Sequence, residues 1–139
     1  MEKDRKEILV IGATNTDISG KCLYPLVMGD SNIGKVTTSL GGVGHNIALN
    51  LSRMGKDISF ITSLGSDNFG CNARNELRDV MDISHSVFFD GPSGVYLYVS
   101  DEKGEMVVAV NDMGAAKEIT PSFLETKKEI IQSSPFLVL

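Results

Sequence analysis

The stretch Gly41-Gly42-Val43-Gly44-His45-Asn46-Ile47-Ala48 places three glycines and an asparagine at the predicted start of a helix. The helix should run from about Gly44 to Met54, because apolar residues recur there at helical spacing. Backbone N–H groups in the first turn of a helix lack partners within the helix. Since glycines carry no side chains that could cover these groups, we expect the stretch to hold a small hydroxylated molecule against the main chain.

Apolar strands alternate with helices along the rest of the chain. Short, continuous apolar runs at 7–12, 58–64 and 135–139 are typical of strands buried in a parallel sheet. Ser66 or Asp67 can cap a second helix between the last two of these runs. The alternation predicts an α/β fold with right-handed crossovers.

A third helix should begin at Thr120, with Pro121 at its first helical position. Thr is a favourable N-cap residue, and the missing N–H of Pro costs nothing at a helix start. Its apolar residues are expected to face the sheet, and these are Phe123, Leu124, Ile130 and Ile131.

Composition excludes some classes of function. The formal net charge is −5 and the basic residues are scattered, which argues against a general nucleic-acid surface. No apolar run approaches the roughly 20 residues that cross a bilayer, and no signal-type segment follows the charged residues 1–7. We therefore expect a cytoplasmic protein that binds neither nucleic acid nor membrane. Cys22 and Cys71 lack metal-ligand spacing, so we expect two buried, reduced thiols and no metal site.

Residues 29–36 come close to the phosphate-binding pattern GxxxxGK[ST]. The last position is Val36, which has no hydroxyl to offer to Mg²⁺, and the residues after it make a poor helix. A phosphate-binding loop of this type needs both features. We therefore interpret the segment as a hairpin turn.

From residue 41 onward the chain resembles the ribokinase-like (PfkB) family of carbohydrate and nucleoside kinases. The residues at 41–48, together with those at 108–115, are most similar to the pseudouridine kinase branch of that family. The resemblance implies an α/β fold with a three-layer ribokinase-like core and a small β-sheet lid. The family's first signature has a Gly-Gly pair, an Asn, a small residue and spaced glycines, which here are Gly41-Gly42, Asn46, Ala48, Gly55 and Gly70.

In this family the first strand ends in a G-x-x-N-x-D pattern whose Asn and Asp hold sugar hydroxyls. The matching residues imply that Asn15 and Asp17 contact the substrate. A carboxylate accepts hydroxyl hydrogens and an amide both donates and accepts, which fits this role. Taken alone, the two residues are more typical of a turn. Further substrate contacts are expected from Gly41, Gly42, Val43 and Asn46, whereas His45 should face solvent.

The family's lid arises from two insertions, which correspond to residues 18–40 and 94–110 of this chain. The first should pair extended segments at 22–28 and 35–40, and the second reads as a hairpin with a polar turn. Lids of this family often pair with a second copy. The resemblance therefore implies a homodimer formed through the lid.

Tyr96 and Tyr98 share one face of the second hairpin, because side chains alternate along a strand. Two aromatic rings there could pack against a sugar or a base, and packing within the lid or a dimer explains them equally well. Asn111 follows the returning strand where the lid rejoins the core. We expect it to be another substrate contact.

The family's second signature, a D-T-x-G-A-G-D-type loop, does not occur in the sequence. In the family that loop supplies the catalytic Asp and a helix start that stabilises the transferring phosphoryl group. We therefore expect no catalytic residue in this chain. ATP, Mg²⁺ and a monovalent cation should belong to a missing C-terminal half. Because the sequence stops inside an apolar strand, we expect a fragment of a protein roughly twice as long.

The main hypothesis is the substrate-binding part of an ATP-dependent kinase for a sugar or nucleoside hydroxyl, inactive as a fragment. Two alternatives stay open. A non-catalytic module that binds sugars or nucleosides could derive from such a kinase, and a lid fragment could form oligomers without any ligand.

Overall fold

The computed structural model describes residues 6–139, so the first five residues of the charged N-terminal segment lie outside it. Within this range the chain forms two larger sheets, a two-stranded sheet and four α-helices. The strands are β1 (Ile8–Ile11), β2 (Asn15–Cys22), β3 (Gly34–Gly41), β4 (Ile58–Ile61), β5 (Ser63–Leu64), β6 (Val87–Phe88), β7 (Gly94–Ser100), β8 (Met106–Asp112) and β9 (Phe136–Val138). The helices are α1 (Val43–Arg53), α2 (Asn68–Arg78), α3 (Pro121–Glu125) and α4 (Lys128–Ser133), with a 3-10 helix at Gly114–Glu118.

The first sheet is parallel, in the order β4-β1-β9, and has helices on both faces. Side chains alternate between the faces of a strand, so β1 contributes to two separate cores. Ile8 and Val10 pack on the side of α1 and α2, whereas Leu9 and Ile11 pack on the side of α3 and α4. This three-layer arrangement confirms the predicted α/β fold.

The helices begin where the capping signals predict. Thr120 accepts a hydrogen bond from the N–H of Phe123 (3.1 Å) at the start of α3. The predicted third helix is nevertheless divided into α3 and α4. The N–H groups of Thr126 and Lys127 donate to carbonyls three residues earlier, and Lys127 departs from the helical conformation (φ −105°, ψ 11°). The apolar residues of the predicted helix still face the sheet. Across residues 6–139 no helix combines the length and apolarity needed to span a membrane.

The second sheet has the order β3-β2-β7-β8 and leaves the core at Asn15. β2 lies antiparallel to β3 and parallel to β7, and β8 forms the far edge. Both segments predicted as lid insertions, 18–40 and 94–110, contribute to this sheet. Val36 lies within β3, and no helix follows it directly. Residues 29–36 therefore belong to a connection between two strands and to the start of β3, and not to a phosphate-binding loop.

The predicted strand over 22–28 is wrong. The strand is β2, which ends at Cys22, and residues 23–33 connect it to β3. β2 has few apolar residues, so its sequence carries little strand signal. Its backbone is instead fixed by hydrogen bonding to β3 on one side and β7 on the other, so that tertiary pairing overrides local propensity.

Buried hydroxyl groups of Thr62 and Ser63 join the segments that flank the second sheet to the core. Thr62, which follows β4, donates to the Thr14 hydroxyl just before β2 (3.0 Å). Ser63 donates to the carbonyl of Ala115, which follows β8 (2.7 Å). These hydrogen bonds satisfy buried polar groups and hold the second sheet to the core at one end, where β2 begins and β8 ends.

Asp67 caps α2 and also holds the segment that leads into β7. Its Oδ1 accepts from the N–H of Gly70 (2.9 Å) and the hydroxyl of Ser93 (2.7 Å), and its Oδ2 accepts from the N–H of Ser93 (3.0 Å). Burial acts to raise the pKa of Asp67, but these hydrogen bonds outweigh it and hold the pKa below its usual value. Gly70 has to be glycine, since a Cβ there would lie 2.1 Å from the carbonyl oxygen of Gly65.

We predict that Asp67→Ala lowers the free energy of unfolding by about 2–3 kcal/mol, because it removes the cap and leaves the Gly70 and Ser93 donors unpaired. The control is Asp79→Ala at the C-terminal end of the same helix, where a carboxylate opposes the helix dipole. It should change stability by less than about 0.5 kcal/mol. Urea unfolding measures both variants, and equal losses would contradict the assigned role of Asp67.

Candidate functional site

Asn15 and Asp17 lie at the start of β2, which residues 12–14 connect to the end of β1. The side-chain amide of Asn15 donates to Oδ1 of Asp17 (2.5 Å). Asn15 is buried and Asp17 is partly exposed. The amide therefore orients a carboxylate that solvent or a ligand can still reach, and such a carboxylate can accept hydrogens from hydroxyl groups.

Gly41 provides the space for this carboxylate. It lies opposite Asn15 in the β2–β3 register, and a Cβ at position 41 would be 2.2 Å from Oδ2 of Asp17. Gly42 has a φ of 101°, a conformation that favours glycine. A Cβ at position 42 would lie 3.0 Å from Oδ1 of Asn15. Both glycines therefore allow the main chain to approach the Asn15–Asp17 pair closely.

The first turn of α1 offers fewer free donors than the sequence suggests. The N–H of His45 donates to the carbonyl of Ala13 (3.3 Å), and the N–H of Asn46 donates to the carbonyl of Gly42 (2.9 Å). Among residues 6–139, the N–H groups of Val43 and Gly44 have no protein partner. The corner formed by residues 41–44, between β3 and α1, thus presents two backbone donors. Its glycines serve mainly to let protein segments pack together.

A cavity of about 400 Å³ opens beside this corner. Its walls come from the end of β1, the start of α1 and the β9 strand with the residue that follows it. Three of the predicted site residues, Asn15, Gly42 and Val43, line it together with Gly44. A cavity of this size is within the range of small-molecule sites.

Asn46 lies in α1, and four other predicted residues, Asp17, Tyr96, Tyr98 and Asn111, lie on one face of the second sheet. Asp17 is opposite Tyr96 in the β2–β7 register, and Tyr96 is opposite Asn111 in the β7–β8 register. Directly paired residues point to the same face, so these three side chains form one row. Tyr98 lies in the next row, with its ring centroid 5.8 Å from that of Tyr96.

Ser39 is a residue of this face that the sequence analysis missed. It pairs with Asp17 on β3 and therefore extends the same row. The sequence of polar residues in β3 does not indicate which of them pair with which residues of β2. Only the pairing of Gly41 with Asn15 shows which of them face the carboxylate.

Two predictions about burial are wrong. His45 is only 4% exposed, because its side of α1 packs toward β3 and α2 instead of facing solvent. Its Nδ1 lies 3.1 Å from Oδ1 of Asn46. Burial lowers the pKa of His45, against the opposing effects of the Asn46 hydrogen bond and of the Glu76 charge. Cys71 is exposed rather than buried, since the buried face of α2 is formed by other residues, Gly70, Ala73 and Leu77.

We predict that Gly41→Ala displaces the Asp17 carboxylate, because the new methyl group and Oδ2 cannot occupy the same space. Overpacking of this kind should cost about 1–3 kcal/mol of unfolding free energy. The control is Gly20→Ala in the same sheet, where the nearest atoms are 3.9 Å from the added Cβ. Urea unfolding compares the two variants, and a Gly41→Ala protein as stable as the control would show that the space is not required.

Known proteins resemble this chain over nearly all of its length. The family model described as pfkB family carbohydrate kinase matches residues 5–139. The pseudouridine kinase of Escherichia coli strain K12 is 32% identical over 138 residues, which cover 98% of this chain and 44% of that protein. The guanosine-inosine kinase of Exiguobacterium acetylicum is 31% identical over 120 residues, covering 85% of this chain and 40% of that protein.

A solved structure of a carbohydrate kinase from Agrobacterium tumefaciens superimposes with a TM-score of 0.85 at 32% identity, covering 95% of this chain and 44% of that one. The chain thus spans less than half the length of these relatives. Since the family match extends over nearly all of its residues, the chain belongs to the pfkB family of carbohydrate kinases.

Proposed function

We propose that this chain forms the substrate-binding part of a kinase that transfers a phosphoryl group from ATP to a hydroxyl group of a sugar or nucleoside. The observation that carries the proposal is the Asn15–Asp17 pair, whose carboxylate occupies space that exists only because residue 41 is glycine. The carboxylate is oriented before any guest arrives. Such preorganisation reduces the entropy lost on binding.

The groups around the pair suit a polyol. Asp17 can accept hydrogens from hydroxyl groups, and the N–H groups of Val43 and Gly44 can donate to hydroxyl oxygens. Tyr96 and Tyr98 present aromatic rings on the same face of the sheet as Asp17. Aromatic side chains of this kind can pack against a sugar or a base. In this proposal the second sheet, with segments 18–40 and 94–110, acts as a lid over the guest.

The names of the two curated relatives support a nucleoside as the guest. One is a pseudouridine kinase and the other a guanosine-inosine kinase. Both names denote substrates that carry a ribose with several hydroxyl groups. We therefore propose nucleosides as the first compounds to test, followed by free sugars.

ATP, Mg²⁺ and a monovalent cation belong to the proposed reaction of a longer parent protein. We assign no residue of this chain to them, because the signature loop expected to supply the catalytic and phosphate-binding groups does not occur in these 139 residues. The cytoplasmic location stays a prediction.

We predict that Asp17→Asn weakens nucleoside binding by roughly 10- to 100-fold, because neutral hydrogen bonds replace those made by a carboxylate. Calorimetric titration of the chain with pseudouridine, inosine, ribose and fructose measures the affinities. Asp112→Asn is the matched control, since Asp112 pairs with Val95 and lies on the opposite face of the same sheet.

Failure of the unsubstituted chain to bind any of these compounds would contradict the proposal, as would equal losses in the two variants. A parent protein that carries the second signature and binds nucleosides without transferring phosphate from ATP would favour the non-catalytic module.

We also propose that the chain forms a homodimer through the other face of the second sheet. That face carries a row formed by Ile18, Leu97 and Val110, with Val108 in the next row. Leu97 is 40% exposed, Val108 53% and Val110 61%. Contiguous exposed apolar side chains of this kind mark interaction surfaces, and a second copy could cover them.

Val110→Asp should convert the dimer to a monomer, because it places a charge in the apolar face that would be buried. Ala109→Asp is the control, since it introduces the same charged side chain on the opposite face of the same strand. Sedimentation equilibrium should give twice the 15.0 kDa chain mass for the unsubstituted chain and the control, and the chain mass for Val110→Asp. A monomeric unsubstituted chain would refute the dimer.

A further inference from the structure

His45 has no role in the site as described so far, although it is one of the few polar side chains buried in this region. It lies in the first turn of α1 and lines a cavity together with residues of β3 and α2. The single hydrogen bond that its imidazole makes within residues 6–139 joins Nδ1 to Oδ1 of Asn46 (3.1 Å). Asn46 is itself exposed and is one of the residues expected to contact the substrate.

This hydrogen bond determines which of the two ring nitrogens of His45 carries a hydrogen. Oδ1 of Asn46 can only accept, so Nδ1 of His45 must carry the hydrogen. Burial favours the neutral imidazole, and a neutral ring has a hydrogen on only one nitrogen. Nε2 is then unprotonated. His45 also lines the cavity between α1 and α2, together with Arg53 and Glu76.

The same bond determines what Asn46 can offer to a guest. A free asparagine amide can rotate by half a turn and present either an acceptor or two donors. When its oxygen is held by His45, the amide presents N–H donors outward. Asp17 presents acceptors, so the two residues are suited to different hydroxyl groups of one guest.

We propose that His45 is a positioning residue that holds the Asn46 amide with its N–H groups directed toward the substrate. The proposal rests on the proposed function, because Asn46 needs a guest to recognise. His45 does not touch the substrate itself. It acts through the orientation of its neighbour, which no motif in the sequence indicates.

The first test is spectroscopic and needs no ligand. Long-range ¹H–¹⁵N correlation spectra of the chain with ¹⁵N-labelled histidine report which ring nitrogen is protonated, and His85→Gln assigns the two histidines. We expect the hydrogen of His45 on Nδ1 in the unsubstituted chain. In Asn46→Leu, which has no acceptor, we expect the signal to move toward the Nε2–H form. A hydrogen on Nε2 in the unsubstituted chain, or no change in Asn46→Leu, overturns the proposal.

The second test uses two replacements that keep a nitrogen at different places. The amide nitrogen of His45→Asn can occupy the position of Nδ1, whereas that of His45→Gln corresponds to Nε2. We expect pseudouridine affinity to fall about tenfold in His45→Gln, with His45→Asn restoring most of the loss. Urea unfolding of both variants accompanies the titrations, so that affinity is compared between proteins that are folded.

The outcomes separate this proposal from the proposed function. If His45→Gln and His45→Asn bind pseudouridine with equal affinity, the positioning role is overturned and the proposed function stands. A chain that binds none of the nucleosides or sugars overturns both.

Discussion

The main-chain contact between Gly12 and Gly44 is the constraint on which the site depends. A Cβ at Gly12 would lie 2.9 Å from the Cα of Gly44, and a Cβ at Gly44 would lie 2.7 Å from the Cα of Gly12. Side chains at these positions would therefore force the end of β1 and the start of α1 apart. Because the two segments touch, the chain that leaves β1 enters β2 beside the residues that lead into α1. The separate pieces of the site meet at this point.

That contact also sets the register of the second sheet. Asn15 and Gly41 are the first pair of the β2–β3 ladder, and the pairing continues without a break to Cys22 and Gly34. Since side chains alternate along each strand, this register places Asp17 on the face that carries Tyr96 and Asn111. A slip of one residue would move the carboxylate to the apolar face. The close packing of glycines at the corner thus determines the chemistry several residues away.

The two faces of this sheet are suited to different partners. One face carries the carboxylate, hydroxyl, amide and phenol groups that we propose for a polyol, and the other carries the branched apolar residues that we propose for a second copy. Buried hydrogen bonds from Thr62 and Ser63 hold the sheet to the core at the end where β2 begins and β8 ends. A surface anchored in this way can orient a ligand more accurately than a free hairpin, because fewer conformations must be lost on binding.

Local patterns in the sequence were enough to predict the elements whose signals are local. Helix α1 was predicted at Gly44–Met54 and lies at Val43–Arg53, and Asp67 caps α2 because an acid at that position can accept backbone hydrogen bonds. The hairpin of β7 and β8 was predicted from its alternation and polar turn. The family resemblance added the expectation that Asn15 and Asp17 contact the substrate, whereas residue types alone would have assigned them to a turn. The hydrogen bond between the two side chains is seen only in the structure.

The amino-acid sequence by itself thus determined the α/β class, most helix and strand positions, and the family, because periodicity, caps and the glycine signature are properties of short segments. Only the tertiary structure decided that β2 is a strand from Asn15 to Cys22, that Ser39 shares a face with Asp17, and that His45 is buried against Asn46. Each of these depends on which distant segment supplies the neighbouring backbone or closes over the side chain. Such contacts join residues far apart in the chain and have no local pattern.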